Sequence, residues 1–308
     1  MRASEAAHEK LIEDTKNHME SGEKHGGGSD YIKSIVFGGL DGIITTFAIV
    51  AAVAGASLPI EVVILMGFSN LIADAISMGL GDYLSSKAEI DNVRFQRKKE
   101  EHECKTILHL EKQEMVLLYQ EKYGYSAKEG QAIMNAFTAK YEQQIEEAKT
   151  AAETAAREAG KVGVEIARAG EDAANESREN TAALKPFIDH MVMVELEMQV
   201  PEDDENPAMD GLVTFFSFVI FGSVPMWFYV SFYAAGYTDT GVQFAVACAA
   251  TAIALFLLGV FKATLTSQIW YESGSLMLMN GAVAAAAAYF IGWGLEAALG
   301  VSLADAEE

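Results

Sequence analysis

VFGGLDGIITTFAIVAAVAGA, residues 36–56, decides how the rest of the chain is read. Crossing a bilayer takes about 20 mostly apolar residues. This stretch has them, together with one charge, Asp41. The next stretch, IEVVILMGFSNLIADAISMGLGDYL, residues 60–84, repeats the pattern with Asp74 inside it. A carboxylate at membrane depth costs roughly 2.5–3.5 kcal/mol on insertion scales and marks an ion path. Two core helices of a soluble protein would also read as apolar. Three more such stretches follow, however: Gly211–Ala235, Val242–Ala263 and Leu276–Leu299. The expected fold is all-α, a polytopic membrane protein with five transmembrane helices.

Hydrophobic residues are 51% of the chain while its formal net charge is −22, so apolar and charged residues must be segregated. The acidic balance excludes a nucleic-acid partner, which needs Lys and Arg against phosphate, and suits attraction of cations. Cys104 falls in a charged block and Cys248 in a span, so the pair does not form a disulfide framework. Residues 1–30 are polar without the apolar core of a secretory signal, and are expected to remain as a tail.

Lys and Arg near span ends mark the cytoplasmic side. Lys24 and Lys33 precede the first span, and Lys87, Arg94, Arg97, Lys98 and Lys99 follow the second. Ser57–Pro59, Gly236–Gly241 and Val301–Glu308 carry no basic residue. The expected organisation is a cytoplasmic tail (1–32), transmembrane helices 1–2 (33–86), and an inserted helical cytoplasmic metal-binding domain (87–208). Transmembrane helices 3–5 (209–300) and a non-cytoplasmic tail (301–308) complete it. Within the insertion, residues 143–183 are rich in Ala and Glu with few large apolar side chains. They read as a solvated helix or a disordered loop, with Gly160, Gly163 and Gly170 weakening a continuous helix.

Two constellations carry chemistry. In the second span Asn70, Asp74 and Met78 are spaced i, i+4, i+8 and share a helix face. Oxygen ligands alone suit Mg²⁺ or Ca²⁺, and a sulfur shifts the preference toward transition metals. In the first span Asp41, with Thr45 one turn on, is flanked by Gly38, Gly39 and Gly42, which permit close helix approach. Asp82 lies nearer the cytoplasmic end, where capping or snorkelling competes with an ion-path role. Beyond the spans, Glu100, Glu103, Glu111 and Glu114 fall on one helical stripe about 80° wide. On a straight helix the two pairs would stand about 16 Å apart at 1.5 Å per residue. Either they serve separate ions or the chain turns back near Thr106–Leu110. His102, Cys104 and His109 are nearby as extra ligands, and a helix expected over Pro186–Val200 carries Met191, Met193, Glu195, Glu197 and Met198.

These residues resemble the vacuolar iron transporter family, which includes the yeast-type calcium-sensitivity cross-complementer transporters. The matching segments are LDGIITTFAIVAAVAGA, AISMGLGDYLSSKAE, the four-glutamate spacing, MVELE and FGSVPMWFY. The resemblance implies a homodimer in the lipid bilayer, with a pore at the dimer interface and no prosthetic group. It implies proton-coupled export of Fe²⁺ from the cytoplasm into an acidic, vacuole-like store, for iron storage and detoxification. By match Asp41 and Met78 would handle metal in the pore, and with Thr45, Asn70 and Asp74 from the span reading they make up the expected transport pathway. Glu100, Glu103, Glu111, Glu114, Met191 and Glu195 would bind metal. Many relatives carry a glutamate at the Asn70 position and a small residue at the Asp74 position, so here the carboxylate has moved one turn. Some carry adjacent methionines where this chain has Met191 and Val192, leaving the second sulfur lost or supplied by Met193.

Three rival functions are weighed. A transporter of Mn²⁺, or of divalent metals broadly including Zn²⁺ and Co²⁺, keeps the same fold. A membrane di-iron oxidase needs paired Glu-x-x-His motifs, and the sequence supplies only Glu5-Ala-Ala-His8 in the tail. A metal sensor without flux would not need Asp41 and Asp74.

Overall fold

The computed structural model describes residues 31–201, 205–237 and 239–299. Most of the N-terminal tail and all of the C-terminal tail lie outside these. Every element among the described residues is helical. The chain divides into two units, one from residues up to 86 and from 206 onward, the other from 87–205.

In the first unit α1 (Ile32–Gly55) is the long apolar helix read from the opening stretch. It stops at Ala56–Ser57, where Ser57 turns left-handed (φ 55°), two residues before Pro59. Helix α2 (Ile60–Tyr123) begins at once and contributes its residues to 86 here. The third span is two helices, α6 (Pro207–Gly222) and α7 (Val224–Ala234), bent by 42° at Ser223. The cause is Pro225, which lacks an N–H and crowds the carbonyl one turn back. Helices α8 (Thr240–Thr266) and α9 (Trp270–Leu299) complete the unit. Four helices are long and apolar enough to cross a membrane, and five spans result when the bent pair counts as one.

Helix α1 lies at the centre, with α6, α8 and α9 packed on it. Ile43, Phe47, Val50 and Val53 are its buried apolar stripe. Phe47 stacks on Phe244 of α8 at 6.2 Å, and Phe244 on Tyr289 of α9 at 5.8 Å. At Gly42 the backbones of α1 and α6 nearly touch: a Cβ there would stand 2.6 Å from the Phe218 carbonyl oxygen. Leu65, Ile72, Ile76, Leu80 and Leu84 of α2 are exposed, the apolar exterior a bilayer requires.

In the second unit α2 continues to Tyr123 but breaks at Ile107, whose φ −136° and ψ 33° are non-helical. Helix α3 (Ala127–Glu158) starts on a capping box in which Ser126 and Glu129 satisfy each other's backbone N–H. Helix α4 (Val164–Glu179), a short 3₁₀ turn (Thr181–Leu184) and α5 (Lys185–Val194) follow. Residues 143–183 therefore form a helical hairpin, turning at Gly160 and Gly163 with positive φ. Small residues close it: Ala156 and Ala174 are buried, and Gly170 abuts the Glu153 side chain. The α5 helix ends six residues before the expected Val200. Glu197 turns left-handed (φ 53°), and the Met198 N–H bonds the Val192 carbonyl at 3.2 Å, closing the end in a wide left-handed turn. Lys122 holds this turn, donating to the Glu197 carboxylate and, at 3.1 Å, to the Val194 carbonyl.

Candidate metal centre

The break at Ile107 reshapes the glutamate stripe. Thr106, just before it, donates its hydroxyl back to the His102 carbonyl at 2.6 Å, a bond that bends helices. With α2 bent there, one carboxylate oxygen each of Glu100, Glu103 and Glu111 converge within 4.8 Å of one another. A straight helix would hold Glu111 about 16 Å beyond Glu100. Glu100 and Glu111 are 2% and 4% exposed, whereas Glu114 is exposed. Glu195, at the end of α5, brings a fourth partly buried carboxylate within electrostatic reach of Glu100, Glu111 and Glu114. Its Oε2 is buried and accepts no hydrogen bond.

Carboxylates gathered this way resist ionisation. Burial, then the neighbouring charges, raises Glu100 and Glu111 above the ordinary carboxylate range. Burial and the Glu100, Glu114 and Glu111 charges push Glu195 to about 7. The cation alongside is Lys99, with Nζ 3.5 Å from Glu103 and 3.9 Å from Glu100. One exposed lysine does not balance four carboxylates, whereas a divalent cation among them would relieve the repulsion of several pairs together.

Two buried sulfurs pack together in the apolar core of the same unit. Met191 is fully buried, and its Sδ lies 3.8 Å from the Sγ of Cys104, itself 1% exposed. Burial, then the Glu111 and Glu100 charges, pushes the Cys104 thiol up to about 12. The register of α5 that turns Met191 inward is fixed by its neighbours. Arg97 of α2 donates to Asp189 at 2.5 Å. His190 stacks on Phe137 at 4.6 Å and shares a hydrogen bond with Tyr119 at 2.5 Å. Val192 is buried, and Met193 is 48% exposed, unlike the fully buried Met191. His102, Cys104 and His109 stay outside the converging group, and Cys104 and His109 line a separate cavity of about 470 Å³ with Lys105, Lys112, Tyr141 and Arg178.

The membrane residues form a second, looser set. Asp41 is partly buried, close enough to Asp74 to feel its charge, and its carboxylate takes no hydrogen bond or ion pair among the described residues. Thr45 spends its hydroxyl on the Asp41 carbonyl at 2.8 Å. Asn70 donates to Asp74 at 2.5 Å, so these two ladder residues act together. Met78, the third, packs beside Leu71, Ala75 and Phe218. Asp82 is a structural clamp. It accepts from Ser34 of α1 at 2.9 Å and from Thr214 of α6 at 2.5 Å, tying three helices at one level.

The sequence is similar to characterised proteins over most of its length. A model of the VIT family matches residues 32–293. A vacuolar iron transporter of Toxoplasma gondii is 35% identical over 278 residues, covering 89% of this chain and 78% of that protein. One from Plasmodium falciparum is 33% identical over 278 residues, covering 90% and 86%. Vacuolar iron transporter 1 of Oryza sativa is 26% identical over 276 residues, covering 89% and 88%.

Proposed function

The chain belongs to the VIT family, and from that membership we propose that it exports Fe²⁺ from the cytoplasm into an acidic, vacuole-like store in exchange for protons. It is a membrane transporter, not an enzyme. The observation that carries the reading is Asp41, a carboxylate within a membrane-length helix that no hydrogen bond or ion pair satisfies among the described residues. Such a group is expensive to keep at membrane depth and earns its place by handling a cation or a proton.

In this reading the 87–205 unit faces the cytoplasm, because the basic residues Lys87, Arg94, Arg97, Lys98 and Lys99 lie at the end of the second span. Glu100, Glu103, Glu111, Glu114, Met191 and Glu195 collect the metal. The ion then passes Asp41 and the Asn70–Asp74 pair, with Met78 as the soft contact, along a path between two copies of α1 in a homodimer. Protons arriving from the acidic side neutralise Asp41 or Asp74, weaken the hold on the metal and release it.

The test is Fe²⁺ uptake by liposomes carrying the purified protein, with and without an acidic interior. Wild type is expected to take up Fe²⁺ when the interior is acidic, and Asp41→Ala to lose that uptake. Full gradient-driven uptake by Asp41→Ala overturns the path, and uptake indifferent to the gradient overturns proton coupling. Uptake of Mn²⁺ without Fe²⁺ transfers the same path to the other cargo.

A further inference from the structure

We propose that the cavity beside the break in α2 is a binding site for a small anion of the phosphate class, and that the bound anion braces the bend. The cavity measures about 470 Å³, within the range of ordinary small-molecule sites. Its walls reverse the charge of the chain. The whole chain carries −22, yet three bases, Lys105, Lys112 and Arg178, line the cavity against one acid, Glu142. The side-chain amides of Gln113 and Gln131 add neutral donors.

The single acid is already spent. Lys112 donates to the Glu142 carboxylate at 2.8 Å and to the Thr138 hydroxyl at 3.0 Å, and its side chain is only 12% exposed. An ammonium has three N–H groups, so one remains for a ligand. Lys105 lies 3.6 Å from Glu101 and 3.7 Å from Glu179, longer than a charge-assisted hydrogen bond. Neither of those acids lines the cavity, and such loose surface pairs contribute little. Arg178 donates to the Asn175 side chain and pairs with no carboxylate among the described residues. Its place is fixed by Tyr141, 2% exposed, whose hydroxyl donates to the Arg178 carbonyl at 2.9 Å and ties that end of α4 to α3. A guanidinium with donors to spare beside two ammonium groups suits phosphate oxygens.

The position gives the anion a role. Lys105 precedes the break at Ile107 and Lys112 follows it. An anion bonded to both ties the two segments of α2 in their bent arrangement, with α3 and α4 as the other walls. The same bend gathers Glu100, Glu103 and Glu111, none of which lines the cavity. Occupancy therefore supports that grouping without touching it.

The test is calorimetric titration of the metal-stripped, full-length protein with inorganic pyrophosphate at low salt, together with hydrogen exchange. Stripping the metal keeps pyrophosphate from binding through an ion at the glutamates, so the result does not depend on the transport reading. Wild type is expected to bind pyrophosphate saturably, one per chain. Lys105→Gln and Arg178→Gln should each weaken binding by about tenfold, the loss of one charge-assisted contact. Lys140→Gln, an exposed α3 lysine outside the lining, should bind as wild type. Amides of residues 104–110 should exchange more slowly when pyrophosphate is bound. Absence of saturable binding overturns the site, and binding that survives both substitutions overturns its location. Binding to wild type without slower exchange over 104–110 overturns the bracing of the bend, and this arm needs no variant to fold.

Discussion

Glu195 is the carboxylate whose protonation should govern the centre. It is partly buried, faces Glu100, Glu114 and Glu111, and is held at about 7. A metal must displace its proton, so affinity in wild type should climb steeply between about pH 6 and pH 8, one unit to either side of that value. Glu195→Gln should bind about tenfold or more weakly at the upper pH and lose most of that climb, as equilibrium dialysis at several pH values would read. An unchanged slope in the variant would move the proton to another carboxylate. Met193→Leu is the control, since its exposed side chain should leave affinity untouched. Sequence alone names these residues but not their grouping. The 80° stripe of Glu100, Glu103, Glu111 and Glu114 is legible from periodicity. The bend that folds Glu111 onto Glu100 is not, because residues 104–110 contain neither Pro nor Gly. The Thr106 back-bond eases the bend and packing fixes it: Cys104, Met115 and Met191 belong to one core that a straight α2 would pull apart.

The helices divide the same way into what local chemistry announces and what packing decides. The spans are legible because about 20 apolar residues in a row admit few other readings, and Pro225 accounts for the bend between α6 and α7. The hairpin of α3 and α4 is harder to read, since its contact is made by Ala156, Gly170 and Ala174 rather than by large apolar residues. The early end of α5 is equally hidden, because Glu197 adopts the left-handed turn that glycine usually takes. Two glycines show how strongly such closeness constrains the membrane helices. A methyl at Gly42 would press to 2.6 Å of the Phe218 carbonyl oxygen, against backbone that cannot swing aside. Gly42→Ala should therefore destabilise the protein by about 1–3 kcal/mol, the usual cost of overpacking. At Gly81 an added methyl meets nothing within 4 Å of it, and Gly81→Ala should be neutral or slightly stabilising. Thermal midpoints in detergent would separate them. A marked loss at Gly81 would instead mark the face on which a second chain approaches.

The whole molecule carries a formal charge of −22, and its three raised carboxylates make its stability a function of both pH and metal. Glu100, Glu111 and Glu195 hold protons more tightly folded than unfolded, from an ordinary value of 4.5 up to about 7 for Glu195. Over that window the folded state binds more protons than the unfolded state, so stability must fall as pH rises. Glu101 and Glu129 act in the opposite sense, lowered chiefly by hydrogen bonds from Thr181 and Ser126. Their contribution is present above 4.5 and lost below it, whereas His190, held below its ordinary 6.5 by burial, favours the folded state as pH rises through this window and partly offsets the raised group. Metal reverses the trend, because it binds the deprotonated carboxylates and stabilises only the folded chain. With three raised carboxylates against one lowered histidine, the chelated protein should on balance lose thermal stability from about pH 5 to about pH 7.5, while the metal-saturated protein stays level or rises. The gap between the two curves should widen with pH and shrink in Glu195→Gln. A chelated protein that gains stability across this window would mean that the carboxylates are already compensated by protein groups, leaving no vacancy for a cation among them.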